Sequence, residues 1–348
     1  MLTLPQIALE FRKYSEDHPL REMSYVCLDE QGNIKEDSLI HDSWALNSIT
    51  AVCRPLQLLE RIDKKAYDDM IHNKLKAKRK GSYDLHNLIS AFCELSVMNT
   101  FICRSSDKES FVYEDRPRKD STKNVEFSIK MSDFLFHVEV KTSDLILEDK
   151  QIAELLKKYP AVLLTDAQTD NYEQICEESE IPVRGSLARR LADFLESANE
   201  KFGKTTDEKE INLLVICWDD RIQQPLMALK STKGQGLLTT NSFIKDADGT
   251  PKEYENVDCI LVNGNYALFK EYILGILFNR FTPNTPVDPF FQVFTYNYII
   301  DHHLTEDRAS MIKSIIQQEA TIVDEKFADT LKPTSIATMG DETTIKFR

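Results

Sequence analysis

The sequence predicts an α/β fold with a mixed central β-sheet flanked by helices, with an N-terminal mixed region before it and a mainly helical region after it. Three observations predict it. A helical period over Tyr83–Phe101 leads into strand-like runs at Ser110–Glu114, Asn124–Met131 and Phe134–Thr142. A second helix, Ser186–Phe202, leads into the apolar run Ile211–Trp218, the strongest strand signal in the chain. A further run, Val257–Val262, stops at the turn Asn263-Gly264-Asn265.

The chain has 348 residues, room for about two domains at roughly 100–200 residues each. Apolar residues at 42% with 10 Gly and 12 Pro place it among ordinary globular proteins and exclude collagenous or largely disordered chains. The 43 Lys and Arg against 57 Asp and Glu leave a net charge of −14, which excludes a protein that coats nucleic acid or an anionic membrane with its whole surface. A local basic groove is still allowed. None of the seven cysteines forms a C-x-x-C pair, so no zinc ribbon or redox motif is supported, and reduced buried thiols are expected. The start lacks a basic segment followed by an apolar one, and the greasy stretch Tyr272–Phe278 falls far short of the ~18 residues of a membrane span. A cytoplasmic, disulfide-free protein is the expectation.

In chain order, residues 1–80 read as a mixed α/β region with a helical start at Leu4–Tyr14 and a turn at Glu30–Asn33. Between Arg61 and Lys80 the sign of the charge reverses, with Lys74, Lys76, Lys78, Arg79 and Lys80 among the basic residues; such a run reads first as a solvated face. The core is expected over 81–265. Its first helix sets Leu85, Leu88, Phe92, Leu95 and Met98 on one stripe, and Glu94 falls on or beside that stripe, where an unpaired carboxylate is costly. Two segments could return the chain to the sheet, Glu148–Lys158 or Ser186–Phe202. The second is preferred for its Ser N-cap and its Leu187, Leu191, Phe194 and Leu195 stripe, which makes 147–182 an insertion. Residues 266–348 read as mainly helical with a polar tail from about Lys332.

The strand Phe134–Thr142 alternates Phe134, Phe136, Val138 and Val140 on one face with Leu135, His137, Glu139 and Lys141 on the other. If it forms a hairpin with Asn124–Met131 through Ser132-Asp133, Met131 faces Phe134 and, counting back, Glu126 faces Glu139 on one side of the sheet. A slip of one residue would move Glu126 to the other face. Two facing carboxylates repel unless something positive lies between them, and Lys141 alone offsets only one charge. A hard divalent cation on oxygen ligands is the economical answer.

This order of an acid on a helix (Glu94), an acid on a strand (Glu126) and a strand ending in Glu139-Val140-Lys141, then helix and strand, resembles the PD-(D/E)XK nuclease superfamily, whose fold is restriction-endonuclease-like. The resemblance spans roughly residues 83–263. It implies Glu126 and Glu139 as ligands of Mg²⁺ or Mn²⁺, Lys141 as the catalytic lysine and Glu94 as the helix acid that supports the metal or its water. The chain departs from the pattern with Glu126 where Asp is usual and Val125 where Pro is usual. Two basic groups flank these residues and are candidates for phosphate contacts: Lys76, Lys78, Arg79 and Lys80, and Arg116, Arg118, Lys119 and Lys123.

The function expected is therefore metal-dependent hydrolysis of phosphodiester bonds in DNA, less so RNA. The alternative is a nuclease fold that has lost efficient catalysis and serves as a nucleic-acid-binding or protein-interaction module. Nucleic acid is the expected partner, a homodimer is left open, and no membrane is involved. Other patterns carry less. Thr232-Lys233-Gly234-Gln235-Gly236 lacks P-loop spacing, and His302-His303 diverge on a helix and cannot chelate as i, i+4 ligands do.

Overall fold

The computed structural model describes residues 51–75, 78–79, 82–118, 120–142, 187–205, 207–219, 221–233, 235–278, 298–302, 304–316 and 321–331, with Gln31 and Phe290. The expected helix at Leu4–Tyr14, the turn at Glu30–Asn33 apart from Gln31, the 147–182 insertion and the polar tail lie outside these residues, as do Lys76, Lys80 and Lys119.

The chain divides into two compact units. One gathers Met1–Thr142, Leu195–Asp220 and Tyr254–Ile322, the other Ser143–Phe194, Arg221–Glu253 and Val323–Arg348. In the first unit, helices α1 (Cys53–Ile62) and α2 (Lys64–Asp69) run into a π-turn, Met70–Lys74. A small antiparallel pair follows, β1 (Lys78–Arg79) with β2 (Ser82–Tyr83). Then comes α3 (Leu85–Arg104), capped by the Asp84 carboxylate accepting from the Asn87 amide.

The sheet has seven strands in the order β3 (Val112–Tyr113), β4 (Phe127–Met131), β5 (Phe134–Thr142), β6 (Glu210–Cys217), β7 (Cys259–Asn263), β8 (Tyr298–Asp301) and β9 (Thr321–Ile322). Pairing is antiparallel from β3 to β5, parallel from β5 to β7, antiparallel at β7–β8 and parallel at β8–β9, so the sheet is mixed as expected. Helix α4 (Leu187–Lys201) precedes β6, the helix-to-strand return favoured from the sequence. In the other unit, α5 (Gln223–Lys230) packs on α8 (Glu325–Thr330).

Helix α3 is buried around most of its circumference. It packs against β4, β5 and α6 (Asn265–Phe278). Its Phe101 ring meets Phe127 of β4 and Phe136 of β5 edge-on at 5.5 and 5.6 Å between centroids, and Phe92 stacks on Phe269 of α6 at 5.7 Å. One face of the hairpin is therefore closed by aromatic packing. Both faces of β5 are buried from Phe136 to Val140, so the polar side of that strand is also covered. That burial creates the electrostatic problem on which the site is built.

Beyond α6 the C-terminal region keeps α7 (Glu306–Ile316) and α8, but it also supplies β8 and β9, which the sequence reading did not anticipate. The loop Thr232–Gly236 is the turn that leaves α5, with Gln235 at φ 52. A Cβ on Gly236 would lie 2.8 Å from the Ser231 amide nitrogen, which is why glycine stands there. The free cysteines Cys53, Cys93, Cys217 and Cys259 are buried and Cys103 is exposed. Among the described residues no helix is long and apolar enough to cross a membrane.

Candidate active site

The β4–β5 hairpin pairs Met131 with Phe134 and continues through Phe127 with Val138. This is the register that the sequence predicts for the paired residues, and it stops one residue short of Glu126. Ser132, first of the two turn residues, takes φ 53, the left-handed conformation that lets a two-residue turn follow the strand twist. Glu126 itself precedes the ladder. Its carbonyl accepts from the Glu114 amide at 2.9 Å, and the Val125 amide donates to the Asp115 carbonyl at 2.9 Å, so the backbone on both sides of the acid is held.

Glu139 is fully buried. A carboxylate in that position needs counter-charge, and it has two lysines on a single oxygen. Lys141 Nζ donates to Oε1 at 2.8 Å and Lys201 Nζ, from the last residue of α4, at 2.6 Å. Both ammonium groups keep some solvent contact, with side chains 22% and 19% exposed. The other oxygen, Oε2, is buried with no hydrogen-bond partner. An acceptor stranded in this way is costly to leave unmet.

The second cluster joins Glu94 of α3 to Glu126. Lys74, which closes the π-turn, donates to Glu94 Oε2 at 2.5 Å and to Glu126 Oε2 at 3.1 Å. Its ammonium also lies 5.6 Å from the centre of the Tyr113 ring, and Tyr113 is anchored by its hydroxyl donating to Asp69 Oδ2 at 2.6 Å. One turn before Glu94, the Ser90 hydroxyl meets that of Thr142 at 2.5 Å and ties this part of α3 to the end of β5.

Burial lifts the Glu94 carboxyl to about 7, and the charges of Glu126 and Glu139 add to the lift against the pull of Lys74. The partners move apart. Burial opposes the charge on Lys74, yet Glu94 and Glu126 hold its ammonium protonated far above the ordinary range, whereas Glu94 shares that one cation with a neighbour and gains less than burial takes.

This has a measurable result. An acid raised on folding binds its proton more tightly when folded, so its contribution to stability declines as pH climbs from its ordinary 4.5 to about 7. Glu94→Gln should match the wild type at about pH 5 and exceed it at about pH 8 by about 1–3 kcal/mol, read as a gap in melting temperature. A variant that is less stable at the higher pH would show that Glu94 is held as a paired anion instead.

Next to these acids on the sheet, Ser128 and His137 are register partners. The Ser128 hydroxyl donates to Asp115 Oδ2 at 2.6 Å, so its contact with His137 Nδ1, also 2.6 Å, places the ring proton on Nδ1. The His137 ring, with Nδ1 3.6 Å from Asp115 Oδ2, is the largest of the pulls holding Asp115 below the usual carboxylate range, ahead of the opposing effect of burial. Since the serine proton is directed to the aspartate and not to the imidazole, this Asp–Ser–His set is not arranged to make a serine nucleophile.

The residues singled out from the sequence thus fall into two linked ion clusters, Glu94–Lys74–Glu126 and Lys141–Glu139–Lys201. Lys74 and Lys201 were not anticipated. Lys74 sits in the basic run read as a solvated face, and here one member of that run is drawn inward. Of the proposed phosphate contacts, Arg118 donates to Asp120 at 2.8 Å, Lys123 pairs with Glu200, and Arg116 donates to Asn124 at 2.7 Å. The charges on Arg118 and Lys123 are therefore partly offset by acids. Lys78 and Arg79 form β1.

Among the described residues, no group of three or more His, Cys, Asp or Glu side chains is gathered so that it could hold a metal as it stands. The donors are nevertheless of the kind a hard divalent cation takes. They comprise three carboxylates whose charges act on one another, and one oxygen of these, on Glu139, has no partner. No family model, curated protein or solved structure matches this chain.

Proposed function

We propose that the chain is a metal-dependent phosphodiesterase acting on nucleic acid, DNA before RNA, on a restriction-endonuclease-like core. One observation carries the reading: Glu139 is buried between two lysines on one oxygen, with its other oxygen unmet. A structural ion pair needs one cation. A carboxylate that fixes two ammonium groups and keeps a lone oxygen in reserve suits a site that handles both a cation and an anion.

In this reading Glu126 and Glu139 hold Mg²⁺ or Mn²⁺ and Glu94 supports them. The bound ion would supply Lewis acidity toward a phosphoryl oxygen and toward the attacking water. Lys141 and Lys201 hold the phosphate by its non-bridging oxygens and stabilise the negative charge that gathers there during displacement. Their partial burial strengthens that effect, because little water screens it. Glu139 aims both ammonium groups and so acts on the phosphate side as well as the metal side.

The test is cleavage of plasmid DNA, linear duplex, single-stranded DNA and RNA by the purified full chain. Cleavage with Mg²⁺ or Mn²⁺ that stops in excess chelator is the expected result, and cleavage that persists in chelator refutes the mechanism. A second reading, a fold that binds without efficient turnover, is favoured by the cation that Lys74 already places between two of the acids. It predicts binding of nucleic acid without cleavage under any metal.

A further inference from the structure

Lys74, like Lys201, is a residue of the site that neither the resemblance nor the sequence periodicity assigns. Its ammonium is boxed by Glu94 at 2.5 Å, Glu126 at 3.1 Å and the face of Tyr113 at 5.6 Å. The box is itself braced, since Asp69 accepts from both the Tyr113 hydroxyl at 2.6 Å and the Asn73 amide at 2.7 Å. The side chain is 24% exposed, so its four-carbon stem has a path to water. Lys74 closes a π-turn, a wide and uncommon turn that is frequent at functional positions.

We propose that Lys74 is an internal competitor for the divalent cation, filling the Glu94–Glu126 end of the site until metal displaces its ammonium. The proposal rests on the metal-dependent reading above. Charge balance supports it. With all three acids ionised, Glu94, Glu126 and Glu139 balance Lys74, Lys141 and Lys201. A divalent ion added beside Lys74 would set like charges within a few ångströms of each other. The same ion in place of the Lys74 ammonium leaves one net positive charge, which suits a phosphodiester anion. A lysine serving only as a permanent structural counter-ion would have no reason to leave.

Two measurements on the full chain test this, with Mn²⁺ alone as the probe. In the first, free Mn²⁺ is titrated by electron paramagnetic resonance against the wild type and Lys74→Gln, and the variant should bind at least about tenfold more tightly. In the second, the wild type is acetylated with a water-soluble active ester and mapped by mass spectrometry. Saturating Mn²⁺ should raise modification of Lys74 several-fold and leave Lys64, whose side chain is 71% exposed, unchanged. The second measurement needs no variant and decides the matter if Lys74→Gln fails to fold. Equal or weaker binding by the variant, or Lys74 reactivity that does not respond to Mn²⁺ bound by the wild type, overturns the proposal and leaves the metal-dependent reading standing. If neither protein binds Mn²⁺, the metal-dependent reading itself falls and takes the proposal with it.

Discussion

Replacing Lys141 by alanine should lower phosphodiester cleavage by about a hundredfold or more while moving the melting temperature by no more than a few degrees. The two halves of that expectation have separate physical causes. Loss of an ammonium that touches the phosphate removes stabilisation concentrated in the transition state, so kcat falls along with kcat/KM. The fold survives because Glu139 keeps Lys201 on the same oxygen at 2.6 Å. The measurement is initial-rate cleavage with Mg²⁺ beside a thermal melt. Full activity in the variant would remove Lys141 from the mechanism.

Removing both lysines is a different experiment with a larger structural effect. In the double variant Lys141→Met/Lys201→Met, a fully buried Glu139 has neither of its ion-pair partners, a situation that costs about 3–5 kcal/mol when a buried pair is broken. Each single variant should lose only a fraction of that, because the remaining lysine still meets the charge. Urea unfolding of the four proteins of the cycle should therefore show a loss in the double variant well beyond the sum of the singles. Strict additivity would mean that the two lysines do not share the burden of Glu139. Adding Glu139→Gln to the double variant should recover much of the loss, since an amide needs no counter-charge.

The parts of the site that could be read from the sequence are those with a period. Alternation along Phe134–Thr142 separates Glu139 and Lys141 from the apolar face, and the short link Ser132-Asp133 sets the register of the hairpin from Met131–Phe134 to Phe127–Val138. Glu94 is visible as a misfit on the stripe of α3. Lys74 and Lys201 have no such signature. Each stands at the end of its element, in a π-turn and in the last position of α4, where lysine is ordinary and the direction of a long side chain is set by tertiary packing alone. Likewise β8 is four residues and β9 two, too short for periodicity to separate strand from helix. Their place in the sheet comes from β8 pairing with β7 and β9 with β8, which no local pattern encodes.

The outermost strands of that sheet, β3 and β9, are two residues each, and Val112 and Ile322 on them are both 47% exposed. An incoming strand could form only a rung or two of ladder against either border. Among the described residues each border offers only two residues on which another molecule could add its own strand, a poor foothold for edge-to-edge stacking.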